Sequence, residues 1–165
     1  LNGAQGDLGR PGIGLYGGNP YRHRANDFRP VVTLEGRLLQ IRRVPPGTPV
    51  GYGASAVTVR SSRIGVVGLG YADGLPRLVS DRGEVAVGGE RCPIIGRVSM
   101  DLTLVDLTDT DARPGDWVEL FGPTVGVDEV ADWAETIAYE VLTGLGSRLR
   151  RCYREPVAAA ERDRD

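Results

Sequence analysis

The chain reads as mainly β, an antiparallel sandwich or barrel-like sheet with one main α-helix near its C-terminus. Three observations predict this. Short β-rich runs follow one another between Pro30 and Gly122, Gly, Pro and Asp clusters separate them, and one later stretch carries a helical period.

In order, the runs are VVTLEGRLLQIRRV, SAVTVRSS, RIGVVGLGY, GEVAVGG, RCPIIGRV, LTLVDLT and DWVELFG. LTLVDL alternates between two faces, whereas RIGVVGLG is continuously apolar and predicts a strand buried on both sides. Pro45-Pro46-Gly47 and Arg113-Pro114-Gly115-Asp116 are turns; proline presets φ and glycine reaches left-handed angles, so each closes one strand before the next opens. The helix is predicted over Asp128 to Thr143, where Val130, Trp133, Ala134, Ile137 and Val141 form one apolar stripe. Asp128 and Glu129 suit its N-terminal end and Gly144 predicts a left-handed cap. Packing accounts for Trp133. The final AAAERDRD predicts fraying, with residues 157–165 disordered.

At 165 residues the chain is long enough to bury one hydrophobic core. Its 20 basic and 22 acidic residues leave a formal charge of -2, so no electrostatic footprint for nucleic acid or an anionic membrane exists. No apolar run approaches the roughly 18 residues of a membrane span, and no signal-peptide layout opens the chain. A soluble, cytoplasmic protein is the expectation. Cys92 and Cys152 have neither metal-site spacing nor a disulfide framework, and are predicted to be buried thiols in a reducing compartment. All 20 basic residues are arginine, so the sequence contains no lysine. It begins at Leu1, without an initiator methionine, in a loop-like LNGAQGDLGRPG, which predicts a truncated start.

Candidates for chemistry are few. His23 lies in GNPYRHRANDF with no nucleophile motif beside it, and one histidine with two scattered cysteines cannot build a zinc site. No phosphate-cradling GxxxxGK[ST] or GxGxxG stretch occurs. There remain the tyrosines in glycine-rich turns, Met100 and Asp101. Tyr52 stands between Gly51 and Gly53, residues that allow unusual backbone angles and close ligand approach. A phenol, with its pKa near 10, accepts a proton at neutral pH only when cationic neighbours or a coupled relay assist it. Taken singly, Tyr52 also fits a strand-end packing role, Met100 a core filler and Arg10-Pro11-Gly12 a plain turn.

Read together, RPGIGLYGGNP, VGYGAS, GLGYADGLPR, IIGRVSMD, GDWVELFG and AYEVLTGLGSRLRRCY occur in the order, and at close to the spacings, of bacterial alanine racemases. From about Arg10 to Tyr153 the chain resembles the C-terminal portion of that family, which interconverts L- and D-alanine for peptidoglycan synthesis with pyridoxal phosphate. The resemblance implies that Tyr52 is the base on one face of the substrate and a lysine, facing D-alanine, the base on the other. It implies that Tyr71 and Arg77 narrow the substrate entrance, that the Met100 N–H meets the substrate carboxylate, and that Asp101 supports it. Arg10 would bind the pyridine nitrogen, and because guanidinium keeps its proton, that nitrogen would stay unprotonated and the cofactor would be a weaker electron sink. The N–H groups around Gly12 and Ile13 would receive the phosphate.

The family's lysine, helper histidine and carboxylate-binding arginine lie in an N-terminal α/β barrel. Residues 1–17 would be a remnant of it, with the β domain spanning 18–156. Some members carry a phosphate-binding tyrosine where Ser147 stands, and their R-x-P-R reads RLRR here. The implied assembly is a homodimer sharing its active sites. Without a lysine, the chain alone is expected to be inactive. Two alternatives stay open: a racemase for another or a broad range of amino acids, and a non-catalytic β module for binding or assembly.

Overall fold

The computed structural model describes residues 7–21 and 24–154; His23, the first six residues and the 157–165 tail lie outside them. Among the described residues there are eight strands and two α-helices, besides short 3-10 turns: β1 Leu34–Val44, β2 Pro49–Val50, β3 Ala56–Val57, β4 Ser62–Val67, β5 Glu84–Val87, β6 Glu90–Pro93, β7 Thr103–Asp106, β8 Trp117–Phe121, α1 Val127–Trp133 and α2 Ala138–Thr143. Six strands form one sheet in the order β6-β5-β8-β1-β4-β7, and β2 pairs with β3 beside it. Every strand pairing is antiparallel. Just beyond β6, Ile94 bridges to Val105 of β7, so the two edges meet and the sheet is a nearly closed barrel.

The long strand β1 makes this curvature. Its first residues pair with β8 and its later ones with β4, with a register shift between Leu38 and Gln40. A bulge bends a strand and raises its twist, which turns one half of the sheet toward the other. Leu34, Gly36 and Leu38 face inward, and a Cβ on Gly36 would come within 2.7 Å of Val67 Cγ1. In β7 and just beyond it the inward set is Thr103, Val105 and Leu107; the Thr103 hydroxyl donates to the Leu69 carbonyl at 2.7 Å, which satisfies the one polar member. Val67, Val105, Leu107, Val118, Leu120 and Phe121 anchor the core.

Three expectations change in detail. SAVTVRSS yields only the two-residue β3, and Val59 is 92% exposed because no neighbouring strand covers it. The predicted single helix is two. After Trp133 the chain turns through Glu135 at φ 56°, with Thr136 N–H donating to the Ala131 carbonyl at 2.9 Å and Glu135 N–H to Asp132 at 3.1 Å. This closes α1 in the manner of a left-handed helix end, so that cap falls on Glu135, while Gly144 stays right-handed at φ -72°. Ile137 drops off the stripe and is half exposed. The cysteines also differ: Cys92 is buried in β6, opposite Val85 of β5, whereas Cys152 is exposed on the C-terminal segment. None of the described helices is long and apolar enough to cross a membrane.

Candidate active site

Tyr52 sits at the tip of the β2–β3 hairpin, in a turn closed by the Ala54 N–H to the Gly51 carbonyl at 3.1 Å. Gly51, Gly53 and Ala54 all take positive φ, which the two glycines adopt freely. The ring is thrown outward, 76% exposed, and so is not core filler. A Cβ on Gly51 would lie 3.0 Å from both Gly96 Cα and the Arg97 nitrogen, so the turn rests directly on that backbone.

The segment from Gly96 to Asp101 then continues to a second turn. Tyr71 and Ala72, in the short 3-10 helix Tyr71–Asp73, donate their N–H groups to the carbonyls of Ser99 and Met100, each at 3.0 Å. Gly70 permits this approach: a Cβ there would lie 2.4 Å from both carbonyl oxygens. Asp73, buried, accepts the Gly70 N–H at 2.9 Å. Met100 and Tyr71 are half exposed, and the Met100 amide donates to no group among the described residues. Arg77 opens the next 3-10 helix, Arg77–Val79, and faces solvent. The turns of Tyr52 and Tyr71 thus meet on one stretch of backbone, residues 96–101, which carries Met100 and Asp101, and Arg77 follows Tyr71 along the chain.

Arg148, which sequence reasoning passed over, ties the C-terminal loop to this cluster. Its Nη2 lies 2.7 Å from Asp101 Oδ1 and its Nε 3.3 Å from Asp73 Oδ1. The hydrogen bond that Arg148 donates to Asp101, helped by the charge of Asp73, raises the guanidinium pKa further. Ser147 precedes it on the exposed loop.

Arg10, Gly12 and Ile13 form a second group, next to α2. Ile13 is buried in the core, and its N–H donates to the Tyr139 hydroxyl at 2.8 Å. A Cβ on Gly12 would lie 2.2 Å from that same oxygen, so only glycine fits. No hydrogen bond or ion pair among the described residues joins this group directly to Tyr52; α2 holds the group through Tyr139, and the loop after α2 reaches Asp101 and Asp73 through Arg148. Tyr139 could have been found in the sequence, since it lies off the apolar stripe. Arg148 could not, because its partners lie far away in the chain.

Residues 31–153 match the family described as "Alanine racemase, C-terminal domain". The alanine racemase of Rhodospirillum rubrum is 49% identical over 150 residues, 89% of this chain and 40% of that protein. The crystal structure of the biosynthetic alanine racemase from Pseudomonas aeruginosa superposes with a TM-score of 0.84 at 44% identity, over 88% of this chain and 42% of that one. That of the Bartonella henselae alanine racemase, described with covalently bound pyridoxal phosphate, gives 0.80 at 44% identity over 88% and 41%. The chain therefore spans about two fifths of the length of these relatives. With most of its residues matched, the chain belongs to the alanine racemase C-terminal domain family.

Proposed function

We propose that this chain is the C-terminal part of a pyridoxal-phosphate-dependent alanine racemase and contributes Tyr52 as one of two proton-transfer groups. The carrying observation is the gathering of Tyr52, Tyr71 and Met100, from three separate turns, along the 96–101 backbone. Residues 1–17 then belong with a preceding barrel that holds the lysine, and residues 18–156 form the β domain. Two subunits share each site in a cytoplasmic homodimer that supplies D-alanine for peptidoglycan.

The residues fit the cofactor's chemistry. Arg10, the main-chain amides at Gly12 and Ile13, the Tyr139 hydroxyl and Ser147 include no carboxylate, so nothing in the set repels a phosphate. Glycine at position 12 leaves the room that brings the Tyr139 hydroxyl into this set. Pyridoxal phosphate, when bound, supplies the electron withdrawal that weakens the substrate Cα–H bond.

The chain's own groups do the rest. The Tyr52 hydroxyl moves the α-proton of L-alanine on its face, and the lysine of the barrel serves the opposite face. Because each base stays on its own side, one site handles both enantiomers without either base moving. The Met100 N–H receives the substrate carboxylate, and Asp101, held by Arg148, keeps that segment in place. Tyr71 and Arg77 narrow the entrance.

Two measurements test the reading. In the full-length protein, Tyr52→Phe keeps the ring and removes the proton-carrying oxygen; racemisation falls by roughly 10²–10⁴. In deuterium oxide the variant still washes deuterium into D-alanine. Racemisation within a few-fold of the parent would refute the assignment, and equal exchange into both enantiomers would refute its one-face form. The 165-residue chain alone, having no lysine, forms no D-alanine and no borohydride-trapped cofactor adduct. Turnover by it would overturn the division of labour.

A further inference from the structure

The backbone that carries Met100 and Asp101 has an unusual set of partners. Ile95 donates to the Leu104 carbonyl at 2.9 Å and Ser99 to the Leu102 carbonyl at 3.0 Å, as sheet and turn amides do. The three amides between them have no main-chain acceptor. Gly96 N–H donates to Asp81 Oδ1, Arg97 N–H to Ser55 Oγ at 3.1 Å, and Val98 N–H to Ser80 Oγ at 2.9 Å. Gly96 and Val98 are buried, so their amides need acceptors, and without a neighbouring strand only side chains provide them.

The acceptors of this support come from the Tyr52 turn and from the chain just after the Arg77–Val79 helix. Ser55 ends the Tyr52 turn, and Ser80 and Asp81 follow the 3-10 helix opened by Arg77. Ser80 Oγ also donates to the Arg77 carbonyl at 2.5 Å. Asp81 sits at φ 57°, a left-handed angle that a non-glycine residue holds only when its surroundings require it. Here that angle aims the carboxylate at Gly96.

We propose that Ser55, Ser80 and Asp81 are positioning residues that suspend residues 96–98 as a strap, and that this strap sets the Tyr52 turn and the Met100–Asp101 backbone in one register. The functional half rests on the reading of Tyr52 given above; the structural half does not. A register error of an ångström between a base and its substrate can lower a rate by about 10²-fold, so three exposed or half-exposed polar side chains have leverage on the reaction without touching it.

The structural half is tested on the 165-residue chain by amide hydrogen exchange. Ser55→Ala speeds exchange at Arg97 roughly tenfold or more while leaving Val98 protected, Ser80→Ala does the reverse, and Ser55→Thr, which keeps an oxygen, restores Arg97. Unchanged Arg97 exchange in Ser55→Ala overturns the strap. The functional half is tested in the full-length protein by deuterium wash-in. Ser55→Ala lowers exchange into L-alanine by about 10-fold or more relative to D-alanine at an unaltered melting temperature, and Ser55→Thr recovers it. An equal fall for both enantiomers with a lowered melting temperature makes Ser55 merely structural and overturns the proposal. If Tyr52→Phe retains racemisation, the underlying reading fails instead, and with it the functional half, while the exchange result at Arg97 still decides the strap.

Discussion

Single residues in this domain are specified by close approach and by burial. Gly70 has an ordinary extended backbone at φ -146°, so its need is purely spatial: the Ser99 and Met100 carbonyls occupy the place of a Cβ. Gly70→Ala must push that segment away. A loss of about 1–3 kcal/mol is expected in urea denaturation, as for other overpacked sites. The two thiols differ for the opposite reason. Burial, with the charge of Glu90 behind it, pushes the Cys92 thiol up to about 11, so little of it is the reactive thiolate at neutral pH, while Cys152 stands in solvent. Iodoacetamide at neutral pH therefore labels Cys152 in the folded chain and reaches Cys92 only after denaturation, as peptide mass spectrometry will show. Prompt labelling of both would contradict the burial. The sequence-based picture of two buried thiols missed this because the residues around Cys152 lie outside the sheet.

At the level of elements, α1 is fastened by charge at its start. Gly126 N–H donates to Glu129 Oε2 at 2.9 Å, and Arg91 of β6 binds both Glu129 and Glu84 at 2.7 and 2.6 Å. The Arg91 hydrogen bond, with a further contribution from the Gly126 amide, holds the Glu129 carboxyl below its ordinary 4.5. A carboxyl with a lowered folded pKa stabilises the fold above the unfolded value and loses that contribution as pH falls through the folded one. Melting temperatures of the parent and Glu129→Gln should thus differ at pH 7 and converge as pH falls below 4.5. A gap that persists undiminished in strong acid would rule out the ion pair as its source. The acidic start of this helix was legible in Asp128 and Glu129. Its early end was not, because Glu135 carries no mark of a left-handed residue and the apolar stripe runs on past it.

Over the whole molecule, a nearly closed antiparallel sheet buries one continuous apolar cluster that also takes in Ile13 and both helices. Such a core should fold as a unit. The isolated chain is expected to melt cooperatively with a β-dominated circular dichroism spectrum, and Leu120→Ala, at a site only 1% exposed, to cost about 2–5 kcal/mol. A gradual melt, or a loss below about 1 kcal/mol, would mean that the sheet does not close over that residue.

By itself the sequence determined most of the strand runs, their turns, the antiparallel class and the glycine-flanked tyrosine, because each is written in neighbouring residues through period, side-chain shape and backbone freedom. The meeting of β6 with β7, the break at Glu135, the Tyr139–Ile13 and Arg148–Asp101 contacts and the support of the 96–98 amides were decided only in three dimensions. Apart from the helix break and the β6–β7 bridge, each of these joins groups well separated along the chain, and a buried amide takes whichever acceptor the closed sheet brings within reach.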